Sequence, residues 1–420
     1  MDCESIEKIK ENIYTYLSEI KGKKNPKLTY DIIINRINEI TNSIFEIRIY
    51  YKTTNELYDR VIYKKFSKIS KSCSNKIEQS IFNSLSKKGF GPKILYIDPN
   101  HTFRIEECSS RNFSLKKSQQ FQSDIIEQII QIIVSYSLIA NIFSFTLKCD
   151  DQLNSKFKIL INALNKKSEN DSLPENNFFD MCFKDLYLRS LNCFKEFGDK
   201  FRKRCIKCTN KTIFEEFQKL EFFMNNFKLL FKNAFPEKSF MVLNHNDFGK
   251  RKIIVLDDNK VNVIENDFSS LNLIGFDFVN YLNESVFNYI PNYEFNEDEL
   301  DLDDCYLIYL KFINKFEEFH SELKESEEGK KILDEIKSKN YYLNLHCLIN
   351  IFWVLHCSLY LNHDKFINNE GFNYFNHAID RIKLYEKISE KKYSSSLNSF
   401  SSSSSFFSEI FSYNLILSIA

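Results

Sequence analysis

The stretch that decides the fold runs over residues 241–285 and reads MVLNHNDFGKRKIIVLDDNKVNVIENDFSSLNLIGFDFVNYLNES. An apolar run ends at the His-Asn-Asp turn of residues 245–247, and Gly249 follows. Two short β-like pieces, KIIVL and VNVIE, are joined by the turn DDNK, and Glu265 ends the second piece. Short apolar runs around a polar turn predict a hairpin. The hairpin would bring an aspartate-bearing turn and a second acidic group close together.

This combination of groups suits phosphoryl transfer. That reaction needs an aspartate to orient or deprotonate the attacking hydroxyl, and acidic groups to hold Mg²⁺ against nucleotide phosphates. Asp247 could serve the first need, and Glu265 with Asp267 could serve the second. An isolated His-x-Asp is most often an ordinary surface turn, so the flanking sequence has to decide.

Composition excludes several classes of protein. Among the 420 residues, Lys+Arg and Asp+Glu number 57 each, so no global charge points to nucleic acid. The one C-x-x-C, at Cys205 and Cys208, has no partner motif at zinc spacing. The N-terminus is charged and amphipathic, unlike a signal peptide, and no run reaches the roughly eighteen apolar residues of a membrane helix. We expect a reduced, cytoplasmic protein with no membrane span.

The order of elements is visible in the periodicity. A helix over 5–21 precedes two predicted hairpins, 43–51 with 57–66 and 93–98 with 102–107, which flank a helix over 76–88. Beyond about residue 109 helical patterns dominate; they cover 120–145, 178–233 and 275–390, interrupted by a β island at 240–268. A serine-rich run at 394–408 predicts disorder.

These elements predict an α+β fold of the bilobal, protein-kinase-like kind. A small N-terminal antiparallel sheet with one helix would form one lobe over 1–108. A large, mostly helical lobe would cover 109–390, and 391–420 would be a disordered tail. Many α+β chains share this order, so the pattern alone leaves the function open.

The central stretch resembles the choline/ethanolamine kinase family. HNDFGKRK (245–252) is similar to the family's H-N-D-x-x-x-x-N loop, and IENDF (264–268) to its I-D-Y-E-Y strand end. FDFVNYLNE (276–284) matches F-D-I-x-N-x-x-N-E almost completely. Further similar segments lie at 39–49, 59–66, 77–97, 103–108 and 350–360, so the resemblance covers roughly residues 35–385.

The resemblance implies that 1–108 is a nucleotide-binding lobe and that 109–390 carries the catalytic loop and acceptor pocket. Asp247 would be the catalytic base, while His245 and Asp277 would hold the loop. Glu78 would pair with the basic residue Lys64, and Glu106 would lie in the hinge. The full set of residues that would bind ATP is Thr41, Asn42, Lys64, Glu78, Glu106 and Lys252. Mg²⁺ would be held by Glu265 and Asp267.

Three departures from the family pattern affect this site. The family's metal-ligating Asn is Lys252, and an ammonium cannot ligate Mg²⁺. Lys252 could instead neutralise phosphate charge, leaving one metal ion in place of two. The metal-binding Asp is Glu265, one methylene longer, and Asn38-Glu39 stand where the nucleotide loop usually has Gly-Gly.

The acceptor pocket is implied by the same resemblance, and its residues are Glu284, Tyr289, Trp353, His356 and Phe268. A quaternary ammonium favours an aromatic cage in which Trp offers the best face. Here His356 replaces the second family Trp, and Phe268 replaces a Tyr. This thinner cage, with a carboxylate nearby, favours ethanolamine over choline.

Three functions remain open at this point. The leading one is ATP-dependent phosphorylation of ethanolamine or choline, the first step of phospholipid head-group synthesis in this family. The second is a catalytically impaired pseudokinase that binds a ligand or scaffolds a partner. The third is a phosphotransferase of the same superfold acting on another alcohol, which the FDFVNYLNE match disfavours. A homodimer is compatible with each function.

Overall fold

A computed structural model describes residues 3–37, 43–65, 75–100, 102–108, 113–139, 143–144, 184–205, 211–234, 240–256, 258–266, 268–289, 293–362 and 373–397. The helices in these residues are α1 Cys3–Glu19, α2 Pro26–Thr29, α3 Asn75–Lys87, α4 Ser123–Ser137, α5 Lys184–Cys205, α6 Lys211–Asn225, α7 Phe227–Ala234, α8 Phe276–Asn283, α9 Leu302–Phe319, α10 Glu327–Lys337, α11 Lys339–Leu359 and α12 Tyr374–Leu397. The strands are β1 Tyr30–Ile37, β2 Ser43–Tyr51, β3 Leu57–Lys65, β4 Ile94–Ile97, β5 Phe103–Glu107, β6 Phe113–Ser114, β7 Phe143–Ser144, β8 Phe240–Asn244, β9 Ile253–Val255, β10 Val261–Val263, β11 Ser270–Leu273, β12 Phe287–Asn288 and β13 Glu294–Phe295.

The N-terminal sheet has five strands in the order β1-β2-β3-β5-β4, and every neighbouring pair is antiparallel. The predicted hairpins are β2–β3 and β4–β5. Asn55 closes the first with a φ of 55°, a left-handed conformation that asparagine tolerates. Strand β1 extends the sheet beyond the sequence prediction. The α+β class, with a small N-terminal antiparallel sheet and a large helical C-terminal part, is thereby confirmed.

Helix α1 closes one face of this sheet. Its apolar residues recur at helical spacing and pack against side chains that alternate along the strands. The buried residues of this cluster are Ile9, Ile13, Tyr16, Leu17, Tyr30, Ile32, Phe45, Ile47, Ile49, Val61, Tyr63, Phe103 and Ile105. Burial of this alternating set fixes the strand register, because a shift by one residue would turn the apolar face to water.

The chain packs into two compact units. The first comprises residues 1–184 and 238–333, and the second comprises 185–237 and 334–420. The five-stranded sheet and the segment 241–285 therefore belong to one unit, whereas the sequence prediction divided the chain at residue 108. Within the first unit, the Val263 N–H donates to the Phe90 carbonyl at 2.9 Å and joins the two regions.

The β island forms two small sheets rather than one hairpin. One has the order β10-β9-β6, and the other has the order β11-β8-β7. All five residues of β8 are buried, so this strand fixes the start of the His-Asn-Asp turn within the core. The hairpin predicted between KIIVL and VNVIE is the antiparallel pair β9–β10.

The second unit is helical, and α11 packs along α12. Among the described residues α11 is the one helix that is long and apolar enough to cross a membrane, but 89% of its most apolar window is buried inside the protein. That burial is typical of a core helix. Helix α12 continues to Leu397, so 391–397 are helical where a disordered tail was predicted, and the rest of that tail lies outside the described residues.

Candidate active site

The turn after β8 is held by Asp277. Its carboxylate accepts hydrogen bonds from the backbone N–H of His245 at 2.6 Å and of Asn246 at 2.8 Å. Asn246 has a φ of 64°, so successive N–H groups of the turn can point toward one acceptor. This is the geometry expected of a residue that fixes the catalytic loop.

Helix α8 delivers Asp277 to that position. It begins directly after Gly275, whose φ of 88° lets the chain turn out of β11. Every residue of α8 is buried. Burial raises the pKa of Asp277 to about 7, although its two backbone donors favour the ionised form.

His245 is engaged on both ring nitrogens. Its Nδ1 accepts from the Asp247 N–H at 3.2 Å, and its Nε2 lies 3.1 Å from the Ile264 carbonyl oxygen. The ring is therefore neutral with its proton on Nε2, which donates to that carbonyl. These contacts give His245 a positioning role between the loop and the end of β10.

Asp247 is the partly buried carboxylate of the turn itself. Burial raises its pKa to about 6, the Lys252 and Arg251 cations lower it, and the Glu265 and Glu284 carboxylates raise it. A carboxylate whose pKa lies this near neutrality can accept a proton from a hydroxyl in the transition state.

Lys252 contacts the predicted metal ligand Glu265 and the predicted base Asp247. It sits on the 3₁₀ turn Lys250–Lys252, and its Nζ pairs with Glu265 and lies 3.6 Å from Asp247 Oδ2. Lys252 is 7% exposed and Glu265 is 4% exposed. The pairing is set by the hairpin, because the Ile264 N–H donates to the Lys252 carbonyl at 2.9 Å.

The described residues do not fit a conventional Mg²⁺ site. Mg²⁺ prefers six oxygen ligands in near-octahedral geometry. Within the described ranges no group of three or more His, Cys, Asp or Glu side chains could hold a metal ion. Glu265 and Asp247 instead face an ammonium that a metal ion would have to displace. Asp267, the second predicted ligand, lies outside the described residues.

On the predicted nucleotide side, Lys64 is buried in β3 opposite Arg104 of β5. The Arg104 Nε donates to the Glu106 carboxylate, and its guanidinium lies 4.1 Å from the ring centroid of Phe82. The hinge acid Glu106 is therefore engaged by a cation of its own strand. Thr41 and Asn42 lie outside the described residues, and of Glu78 only its place on α3 is described.

The predicted acceptor acid Glu284 lies beside the catalytic loop. It is buried, and the Tyr289 hydroxyl donates to its Oε1 at 3.2 Å. A Cβ on Gly249 would lie 3.1 Å from Glu284 Cγ, so glycine permits the close approach of loop and acid. The guanidinium of Arg251 lies 4.1 Å from the ring centroid of Tyr289. Phe268 is buried, and its carbonyl accepts from Asn246 Nδ2 at 2.9 Å.

The other two predicted acceptor residues, Trp353 and His356, lie on α11 in the second unit. Their ring centroids are 5.8 Å apart, and the Arg381 guanidinium lies 5.2 Å from the ring centroid of Trp353. Burial, with a smaller contribution from Arg189, lowers the pKa of His356 to about 3, so it is neutral near pH 7. Trp353 thus already contacts an internal cation.

Sequence reasoning missed three residues of this region. Asn272 donates through Nδ2 to Asn246 Oδ1 at 2.8 Å and supports the loop. Arg251 and Arg104 contact the predicted acceptor and hinge residues described above. The only available signal was their position inside or next to the quoted motifs. The contacts of Asn272 and Arg251 join residues that are distant in sequence, whereas Arg104 contacts Glu106 two residues along the same strand.

Comparison with known proteins gives the same family as the sequence motifs. The sequence model of the choline/ethanolamine kinase family matches residues 33–386. No curated protein sequence matches the chain. Among solved structures, a choline kinase from Cryptosporidium parvum Iowa II has a TM-score of 0.57 at 18% identity, covering 93% of this chain and 99% of that one.

An ethanolamine kinase from Plasmodium vivax has a TM-score of 0.51 at 17% identity, covering 91% of this chain and 90% of that one. At these identities the structural likeness shows the fold alone. The family match covers far more than half of the sequence, and it includes the catalytic loop, the β9–β10 hairpin and helix α8. The chain therefore belongs to the choline/ethanolamine kinase family.

Proposed function

We propose that this protein transfers the γ-phosphoryl group of ATP to the hydroxyl of a small amino alcohol, ethanolamine or choline, giving the phosphomonoester. The observation that carries the proposal is the anchored loop: Asp277 accepts two backbone hydrogen bonds from the turn, and the partly buried Asp247 carboxylate follows directly in that turn. In the family, the product is the first intermediate of phospholipid head-group synthesis. A cytoplasmic location is part of the proposal.

The proposed roles rest on the family resemblance, and the contacts of the described residues support them. Asp247 accepts the proton of the acceptor hydroxyl as that oxygen attacks the γ-phosphorus, and the bond from phosphorus to the bridging oxygen of ADP breaks. His245 and Asp277 position this carboxylate. Lys64 and Lys252 supply positive charge toward the nucleotide phosphates, together with Thr41, Asn42, Glu78 and Glu106 as the remaining predicted nucleotide residues.

Ethanolamine is the preferred acceptor in this proposal. Glu284 is a buried carboxylate, and a primary ammonium can donate three hydrogen bonds whereas a quaternary one donates none. Trp353 contacts Arg381, which reduces its value as one face of a cage for choline. Tyr289 and Phe268 are the other proposed acceptor residues near the loop.

A second candidate is a family member that binds ligands without turnover. The ion pair of Lys252 with Glu265 favours it, because it fills the position where family members are expected to hold metal. Such a protein would fold and bind a nucleotide or partner but would transfer no phosphate.

One experiment separates the two candidates. Purified protein is incubated with γ-labelled ATP, Mg²⁺ or Mn²⁺, and a panel of ethanolamine, choline, aminoglycosides and sugars. Labelled phosphoethanolamine is the expected main product. Transfer to none of the acceptors, with a nucleotide-induced thermal shift still present, supports the non-catalytic candidate. No transfer and no thermal shift contradict the proposed kinase.

A further inference from the structure

The Lys252 side chain occupies a position between two acids of the active site. Its Nζ pairs with Glu265 and lies 3.6 Å from Asp247 Oδ2, so a single ammonium contacts both carboxylates. Its backbone is fixed by two hydrogen bonds: the Lys252 N–H donates to Gly249 at 2.8 Å, and the Lys252 carbonyl accepts from Ile264 at 2.9 Å. The ammonium is therefore held in place by the loop and by the hairpin.

Burial of these charges affects whether a metal ion can bind beside them. Lys252 is 7% exposed and Glu265 is 4% exposed, and buried charges are stable only when they are paired. A divalent ion bound by Glu265 and Asp247 would leave the ammonium buried within about 4 Å of two positive charges, a repulsion of several kcal/mol at the effective dielectric of protein sites. The pair therefore opposes metal binding at this position.

From this geometry we infer that Lys252 is a built-in cation that replaces the divalent ion at Glu265, so that the site binds ATP without needing metal at that position. An ammonium is a compact point charge that suits phosphate oxygens. In this role Glu265 orients the ammonium rather than a metal ion. The inference rests on the proposed function for its nucleotide, but its metal part can be tested without ATP.

The first test uses Mn²⁺ alone, with free Mn²⁺ measured by electron paramagnetic resonance. Lys252→Asn restores a neutral oxygen ligand and removes the repulsion, so it should bind Mn²⁺ at least about tenfold more tightly than the wild type. Lys260→Asn is the matched control, because Lys260 is exposed in the β9–β10 turn and pairs with Asp258 at 2.8 Å. It should bind as the wild type does. Equal Mn²⁺ affinity of the wild type and Lys252→Asn would overturn the inference.

The second test measures ATP binding by calorimetry in EDTA and in Mg²⁺. The wild type should bind ATP in EDTA with an affinity within about threefold of that in Mg²⁺. In EDTA, Lys252→Asn should bind ATP about tenfold or more weakly than the wild type does. ATP binding by the wild type only in Mg²⁺ overturns the inference and leaves the proposed function intact. Absence of ATP binding in both buffers overturns the proposed function and the nucleotide part of the inference; with the Mn²⁺ result as expected, only the exclusion of metal by Lys252 is supported.

A second variant covers the case in which Lys252→Asn does not fold. Glu265→Gln removes the carboxylate and keeps the ammonium. If Lys252 is the working cation, ATP affinity in EDTA stays the same or rises, since the ammonium is released toward phosphate. If Glu265 instead holds a metal ion that binds the nucleotide, ATP affinity in Mg²⁺ falls, and this result counts against the inference.

Discussion

The two ends of the catalytic segment are held by different kinds of contact. At the His-Asn-Asp turn, the buried Asp277 carboxylate accepts two backbone N–H groups at 2.6 and 2.8 Å. At the hairpin that follows, the buried Lys252 ammonium pairs with the Glu265 side chain and lies 3.6 Å from Asp247 Oδ2. Hydrogen bonds to the backbone fix the path of the chain. A side-chain ion pair can be replaced by other side chains without moving the backbone. The turn can thus keep its geometry while the charged side chains of the hairpin change.

The largest effect is expected at the turn. Asp247→Asn removes the base but keeps the size of the side chain, so transfer to ethanolamine should fall by about 10²–10⁴-fold. The rate of labelled phosphomonoester formation measures it. Asp258→Asn, in the exposed β9–β10 turn, is the control and should leave the rate unchanged. A loss of less than about tenfold would show that Asp247 is not the base.

The anchor of the turn can be compared with an exposed carboxylate that also accepts two backbone N–H groups. Asp301 also accepts two backbone N–H groups, from Asp303 at 2.9 Å and from Asp304 at 3.1 Å, but at the exposed start of α9. Asp301→Ala should cost about 1 kcal/mol of unfolding free energy. Asp277→Ala should cost about 3 kcal/mol, because its donors are buried and cannot turn to water. Urea denaturation at pH 7.5 measures both, and equal costs would contradict the anchoring role.

The acid side of the pH–rate profile tests the charges around Asp247. Its pKa is raised to about 6 by burial, and only the ionised carboxylate can accept a proton. The rate should therefore fall about tenfold per pH unit below that value. Lys252→Met removes a cation that lowers this pKa, so its acid limb should move to higher pH. An unmoved limb would show that the ammonium does not act on the base.

The smallest effect is expected where loop and acceptor acid touch. Gly249→Ala places a Cβ 3.1 Å from Glu284 Cγ and 3.2 Å from its Oε2, so Glu284 must shift by a few tenths of an ångström. The KM for ethanolamine should rise about fivefold, as expected for one weakened hydrogen bond, with the KM for ATP unchanged. Gly198→Ala on α5 is the control, since its new Cβ makes an ordinary 3.4 Å contact with Phe217. A KM change for ATP alone would place Glu284 outside the acceptor site.

Much of the fold was readable from local pattern. The β2–β3 and β4–β5 hairpins follow from apolar residues at every second position around polar turns, and α1 follows from helical spacing. The catalytic turn, the β9–β10 hairpin and α8 were identified because their motifs are contiguous. The end of α12 was misplaced, since the serine-rich composition from residue 394 predicts disorder although the helix continues to Leu397.

The sequence by itself determined the order of the elements, the α+β class and the family, because each depends on residues that are close together along the chain. Only the tertiary structure decided which charges meet. Asp277 reaches a backbone 32 residues away, and Lys252 meets Glu265 across 13 residues through the pairing of β9 with β10. Sequence showed an ammonium and a carboxylate at two metal positions. Folding placed them in contact, since two buried opposite charges are most stable as a pair.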